Sequence, residues 1–298
     1  MKQSYFSTAG VWLKGNLHSH TTVSDGALSP EEIEKVYREH GYDFFSMTDH
    51  NLFVPHEKGN REMLLLTGVE HDLTYSRFKC IHVVGTGAPG RTETDYPCIK
   101  YSPDEINDQE LIDRMRNDGQ FVVLAHPVWS RMEPEELRAL SGFHAIEVYN
   151  HGCENLCHAG HGEVYWDMLL REGKRLLATA SDDTHLPGDK FGGWICVKAA
   201  EKTEVAINKA LFEGQFYASS GPKIIDFGTD GDIVYLACSR CREIHFVSYP
   251  PRGKSFFAGS GEGLTEAVYT RKGGESYLRA ECIDDAGHAA WTNPIYFD

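Results

Sequence analysis

Short apolar runs alternate with amphipathic stretches along the first two-thirds of the chain. The runs at 44–47, 63–66, 121–125, 145–149 and 175–180 are short and predominantly apolar, as buried parallel strands are. Between them, Ser29, Pro30, Glu31 and Glu32 open a helix with a capping box and proline in its first turn, and Ile33, Val36 and Tyr37 supply its apolar face. The same device recurs at Ser102, Pro103, Asp104 and Glu105, ahead of Ile106, Leu111, Ile112 and Met115. Gly41 and Gly119 stand where these two helices should stop. Further helices are predicted over about 134–140, 162–172 and 203–213. Repeated strand–helix units predict an α/β barrel or a doubly wound sheet. Past position 222 the texture changes: β-prone runs at 233–238, 244–249, 267–270, 276–283 and 294–297 are separated by Gly, Pro and Asp clusters, the pattern of a small β-sandwich. The expected organisation is residues 1–222 as one unit and 223–298 as the other.

Composition narrows the function classes. The 298 residues carry 29 basic and 44 acidic side chains, a formal charge of −15, which argues against broad binding to nucleic acid or to anionic membranes. The N-terminal segment has no apolar core of a secretory signal, and no run of about 18 apolar residues predicts a membrane span. The eight cysteines therefore read as reduced thiols and the expected location is cytoplasmic. Against the acidity stand 15 histidines, the residues of metal sites and proton transfer.

Their positions are not scattered. His18 and His20 lie two apart at the end of an apolar stretch, so on a strand both imidazoles face one way. Asp25 follows in a loop. His50 closes a second apolar run, Glu70 follows a third, His82 opens a fourth, His126 ends a fifth, and Asp183 and His185 end a sixth. In a parallel barrel the C-terminal strand ends converge on one rim, where active sites are built. So many imidazoles and carboxylates in one place need divalent cations to offset the cost of burying them, and N/O ligands without thiolate suit Zn, Mn or Fe.

The ordered set His18-x-His20, Ser24-Asp25-Gly26, Thr48-Asp49-His50, Gly68-x-Glu70, His82, Ala125-His126-Pro127 and Asp183-x-His185 resembles the PHP (polymerase and histidinol phosphatase) family. The segments 14–18, 146–150, 165–167 and 217–222 are similar to its branch of CehA/McbA-like metallohydrolases, which often carries a C-terminal β domain. The resemblance covers about residues 10–222. It implies a distorted seven-stranded β/α barrel followed by a small all-β sandwich, holding two or three divalent transition metal ions (Zn, Mn or Fe). The ligands it implies are His18, His20, Asp25, His50, Glu70, His82, His126, Asp183 and His185, with Glu70 as a bridge.

The expected activity is hydrolysis of a small phosphate ester, such as a nucleotide or short oligonucleotide, by a metal-bound hydroxide. A small anionic substrate is thus expected, since the metals would make one positive rim on a negative protein. The alternative is a metal-dependent hydrolase of a carboxyl ester, carbamate or glycosidic-type bond. A third reading is a non-catalytic binding protein. Asp49, next to His50, is a candidate for orienting a ligand imidazole. Glu147 is a second candidate catalytic-site carboxylate, and Asn150 a candidate substrate contact. Arg77, Arg131 and Lys190 lie in loops near ligand segments but read as solvated charges. Two signals are set aside. The stretch 151–161, with two cysteines and three histidines, matches no common zinc spacing and reads as a rim loop, and Cys238-x-x-Cys241 lacks the further ligands of a structural zinc site.

Overall fold

The computed structural model describes residues 2–54, 62–76, 79–87 and 100–297. In chain order the first part runs β1 (Lys2–Ser4), β2 (Val11–Asn16), α1 (Pro30–Glu39), β3 (Phe44–Ser46), β4 (Leu64–Leu66), β5 (Gly68–Ser76), β6 (Lys79–Thr86), α2 (Asp108–Asn117), β7 (Phe121–Leu124), α3 (Pro134–Ala139) and β8 (Ala145–Asn150). It continues through α4 (His151–Cys157), α5 (Glu163–Arg171), β9 (Leu177–Ser181), β10 (Trp194–Ala199), α6 (Glu204–Phe212) and β11 (Phe216–Ser219). Strands alone follow: β12 (Ile224–Asp230), β13 (Ile233–Cys241), β14 (Glu243–Val247), β15 (Gly253–Phe257), β16 (Leu264–Thr270), β17 (Tyr277–Ile283), β18 (Ala289–Thr292) and β19 (Ile295–Tyr296).

The strands do not close into a seven-stranded barrel. β5-β6-β7-β8-β9 form one open sheet, and a longer sheet runs β15-β14-β17-β18-β11-β10-β2-β3-β4. Pairing is parallel in β2-β3-β4 and in β7-β8-β9, but β5-β6-β7 and β2-β10-β11 are antiparallel. Two isolated parallel bridges tie the sheets together, Ser19 to Thr184 and His50 to Glu70. Both lie at residues of, or next to, the predicted ligands, so the seams between the sheets run through the site.

Helix α1 starts as the sequence predicts: Ser29 caps it, accepting from the Glu32 amide, and Glu32 returns the bond. The second helix starts later than expected. Its capping box is Asn107 with Glu110, while Ser102–Glu105 only form a turn. An Asn-x-x-Glu box directly ahead of the apolar Leu111 and Ile112 caps the longer apolar face. The expected rim loop at 151–161 contains the short helix α4, capped by Asn150, whose side chain accepts from the Cys153 amide.

Residues on either side of position 222 share a sheet, since β11 pairs with β18. β1 joins β12, and Trp291 is fully buried in the core made by Val122, Ile146, Trp166, Val197 and Phe216. A second core, with Phe6, Tyr217, Phe227, Leu236, Phe246 and Leu278, fills the space between β12-β13-β16 and β14-β17. Buried Arg279 on β17 makes two 2.8 Å bonds to Asp167 on α5, a further bridge across position 222. No helix among the described residues is long and apolar enough to cross a membrane.

Candidate metal centre

Nine side chains from six segments meet at the seams. His18 and His20 follow β2, His50 follows β3, His126 follows β7, and Asp183 and His185 follow β9. Glu70 and His82 are not at strand ends. They lie on one face of the antiparallel β5–β6 pair, where Glu70 opposes Val84 and Asp72 opposes His82. Asp25 arrives on the loop after His20. Gly26 makes that turn possible, because a Cβ there would fall 2.3 Å from the His20 carbonyl oxygen. His126 and Asp183 have positive φ, 23° and 50°, a region costly for residues with a Cβ, which the surrounding structure imposes.

Glu70 is the hub. His18 Nε2 (3.2 Å), His82 Nδ1 (3.0 Å) and His126 Nε2 (3.2 Å) approach its Oε1, while His20 Nε2 (3.1 Å) and His50 Nδ1 (3.2 Å) approach its Oε2. Asp183 Oδ1 lies 3.2 Å from both His18 Nε2 and His20 Nε2. Half-exposed Asp25 faces His185 at 3.4 Å, His20 at 3.6 Å and His50 at 3.8 Å. Four groups have donor atoms within 4.8 Å of one another: His20/Asp25/His50/His185, His18/His20/Glu70, His18/His126/Asp183 and His50/Glu70/His82.

The donor set fits cations rather than internal hydrogen bonds. Glu70 Oε2, Asp183 Oδ1 and His50 Nδ1 are buried without a hydrogen-bond partner, although imidazole nitrogens or carboxylate oxygens stand near them. Lone pairs so placed converge on shared points instead of on one another. Among the described residues Asp25, Glu70, Glu147 and Asp183 pair with no lysine or arginine, so without a metal only imidazolium can balance them. Burial would push the imidazoles toward neutrality, yet Asp183, Glu70 and Glu147 carry His18 well above its usual pKa. Burial is likewise outweighed at His20, raised to about 9 by Asp183 and Glu70, and at His82, raised to about 10 chiefly by Glu70. Glu70 and Asp183, despite full burial, are held well below the carboxylate range by the imidazoles around them.

The three remaining candidates, Asp49, Glu147 and Asn150, are held by the following contacts. Asp49 touches no imidazole among the described residues. It accepts from the Thr21 and Ser24 amides (2.9 and 3.0 Å) and from the Ser24 hydroxyl (2.7 Å), pinning the loop that carries Asp25. Glu147 takes the orienting role instead: its Oε1 lies 2.7 Å from His18 Nδ1, and its Oε2 accepts from the His126 amide (2.9 Å). Asn150 is fully buried, donates to Glu147 (2.9 Å) and Asp183 (3.0 Å), and accepts from the Cys153 amide, so its bonding capacity is spent inside the protein.

Sequence reasoning missed Asp182. Its carboxylate gathers Asn16, Tyr37 and the amides of Phe191, Gly192 and Gly193 beneath the site. Only its being adjacent to Asp183 could have drawn notice. Asp72, on the same strand face as Glu70 and 3.8 Å from His50 Nδ1, was missed as well.

A cavity of about 780 Å³ opens over the cluster. Trp129, Cys153, Asn155 and Leu156 form one side and Leu186, Gly188 and Asp189 the other, with Leu156 and Leu186 largely exposed. Among the described residues no lysine or arginine lines it. Lys190 donates to the Pro187 carbonyl (2.5 Å) and Arg131 to that of Val128 (3.4 Å), both away from the cavity lining, and Arg77 lies outside the described residues.

The chain has the fold of a two-domain protein containing a predicted PHP-like metal-dependent phosphoesterase from Bacteroides vulgatus, with 17% identity over 97% of this chain and 98% of that one and a TM-score of 0.51. An amidohydrolase from Chromobacterium violaceum (18% identity, 59% of this chain and 88% of that one) and a metal-dependent phosphoesterase from Bifidobacterium adolescentis (17%, 58% and 88%) each align with a TM-score of 0.42. No family model and no curated protein matches the sequence.

Proposed function

We propose that the protein is a multinuclear metal-dependent phosphoesterase that hydrolyses a small phosphate ester. His18, His20, Asp25, His50, Glu70, His82, His126, Asp183 and His185 would hold two or three Zn, Mn or Fe ions. The observation that carries this reading is the approach of five imidazole nitrogens to the one Glu70 carboxylate, all within 3.2 Å. When bound, divalent ions there supply Lewis-acid charge for the ester oxygens and lower the pKa of water to near neutrality.

The chain's own groups prepare that site. Glu147 accepts a hydrogen bond from His18 Nδ1–H, and the Asp183 carbonyl, 3.0 Å away, accepts one from His185 Nδ1–H, so each Nε2 lone pair faces the cluster. Ser130 Oγ stands 3.2 Å from His126 Nδ1 in the same relation. Trp129, Leu156 and Leu186 offer apolar surface to the leaving group, and with no lysine or arginine lining the cavity among the described residues, a phosphate's charge would fall to the bound metals. The phosphoesterase chemistry named for the Bacteroides vulgatus neighbour is of the same class.

That no lysine or arginine among the described residues lines the cavity also favours a second reading, a metal-dependent hydrolase of a carboxyl ester, carbamate or glycosidic-type bond. Metal analysis of protein purified without chelator and supplied with metal, followed by nitrophenyl phosphates against nitrophenyl carboxylates, separates the two. More than one transition metal per chain and phosphate-selective turnover, abolished in His18→Ala/His20→Ala, is the expected result. Less than one metal per chain sinks both readings, and carboxylate-selective turnover sinks the first.

A further inference from the structure

The Cys238-x-x-Cys241 pair gains a third member in the folded chain. Cys238, Cys241 and Cys282 are all buried, and their Sγ atoms lie within 4.8 Å of one another. They come from the two facing sheets of the C-terminal sandwich, two from β13 and one from β17.

A regular strand would not bring the first two together. Val234, Leu236 and Cys238 alternate into the core with the period of two, which would send residue 241 to the other face. The register of β13 against β16 slips between Ala237 and Cys241: three residues of β13 oppose a single residue, Thr265, of β16. This bulge exposes Arg240 and returns Cys241 to the core beside Cys238. Cys282 continues the inward row of Leu278 and Ala280 on β17, paired with Ile244 on one side and Ala290 on the other. Three small apolar side chains would fill this space without a bulge, so packing alone gives no reason for the register slip or for sulfur at all three positions.

We propose that Cys238, Cys241 and Cys282 form a second metal site, a thiolate site for a thiophilic d10 cation (Cu⁺ or Zn²⁺) that fastens the two sheets of the sandwich together. Soft sulfur donors select such ions, and this set shares no ligand with the N/O cluster some way off in the fold. Structural zinc is almost always four-coordinate, whereas the group among the described residues has three donors, which favours Cu⁺. Each thiol that becomes a thiolate ligand releases its proton to solvent, so occupancy falls with acidity. The site has a structural role, since no cavity opens onto it among those described.

Cobalt(II) titration of the reduced full-length protein tests this, because a thiolate-to-cobalt charge-transfer band cannot arise from nitrogen and oxygen ligands. The expected result is a saturable band whose final intensity corresponds to one thiolate-bound cobalt per chain, lost in Cys238→Ala and in Cys282→Ala but kept in Cys153→Ala, whose sulfur borders the other centre. In those variants an unchanged d–d spectrum from the histidine cluster shows that the fold survives. Displacement of the band by Cu⁺ at lower concentration than by Zn²⁺ assigns Cu⁺, and the reverse order assigns Zn²⁺. No charge-transfer band in the parent protein, a band indifferent to both substitutions, or a Cys238–Cys241 disulfide in protein purified without reductant overturns the proposal.

Discussion

Glu147 Oε1 sits 2.7 Å from His18 Nδ1, both side chains buried, while Glu147 Oε2 accepts the His126 amide. One carboxylate thus fixes the ring of one proposed ligand and the backbone of another. Glu147→Gln keeps the shape and removes the charge that raises His18 basicity. Metal affinity, read by chelator competition, should fall roughly 10–100-fold with little change in the circular dichroism spectrum. Unaltered affinity would show that Glu147 does not orient a ligand.

Stripping the metals should make stability depend on alkaline pH. Burial opposes charge on His20 and His82, but the carboxylates hold them at about 9 and about 10 in the folded protein, against 6.5 unfolded. A raised folded pKa stabilises fully below 6.5, and the gain is lost as pH climbs through 9 to 10. The apo protein's unfolding midpoint should therefore drop across that window, and the metal-loaded protein's should not. Parallel curves would contradict the charge argument.

Asp49 pins the turn at 21–24 by accepting from the amides and the hydroxyls of both Thr21 and Ser24. Asp49→Ala should release Asp25 and weaken the His20/Asp25/His50/His185 group selectively. Metal counting should find about one ion fewer per chain, and the lost buried bonds should cost about 1–3 kcal/mol in a denaturant titration. Full occupancy would leave Asp49 a purely local turn residue.

Arg279 and Asp167 join β17 to α5, with Arg279 also 3.1 Å from Glu281 and stacked over Trp166. Asp167→Ala removes the bidentate partner of a buried guanidinium and leaves it Glu281 alone. Full burial of both partners would set the cost at about 3–5 kcal/mol; Asp167 is partly exposed, so roughly 2–4 kcal/mol is expected. Arg279→Met with Asp167→Leu should recover much of it, as measured by urea unfolding. If the double variant is no better than the single one, the buried charge left behind is not the cause.

His144 is pushed down to about 4, mainly by burial and then by Arg116, while its Nδ1 accepts the Val122 amide. Its folded state prefers the neutral ring, so below 6.5 the unfolded chain gains a proton that the folded chain refuses until about pH 4. Stability contributed by this site is present above 6.5 and lost between 6.5 and 4. His144→Asn, which can still accept from Val122, should show a shallower acid slope in that window; an unchanged slope would place the acid sensitivity elsewhere.

The chain's local physics is readable without coordinates. Ser29 and Glu32 cap α1 because the box is complete within four residues, and the runs at 121–125 and 145–149 become β7 and β8 because apolar residues dominate them. Reading failed where two local signals competed, as between Ser102 and Asn107, and where a strand lacked an unbroken apolar run, as in β12, β15 and β18. The contacts of Glu147, Asn150 and Asp49 were beyond it too: all three are polar residues near strand ends, and nothing in their neighbours tells which one will meet an imidazole.

By itself the sequence offered nine candidate donors and their order, because metal-ligand chemistry restricts residue type and a resemblance to a known family restricts position. It could not decide the closure of the sheets, the convergence of five imidazoles on Glu70, or the meeting of Cys238, Cys241 and Cys282. Those depend on which strands pair and in what register. A one-residue slip turns every side chain to the opposite face, and residues 44 positions apart meet only through the packing of two sheets.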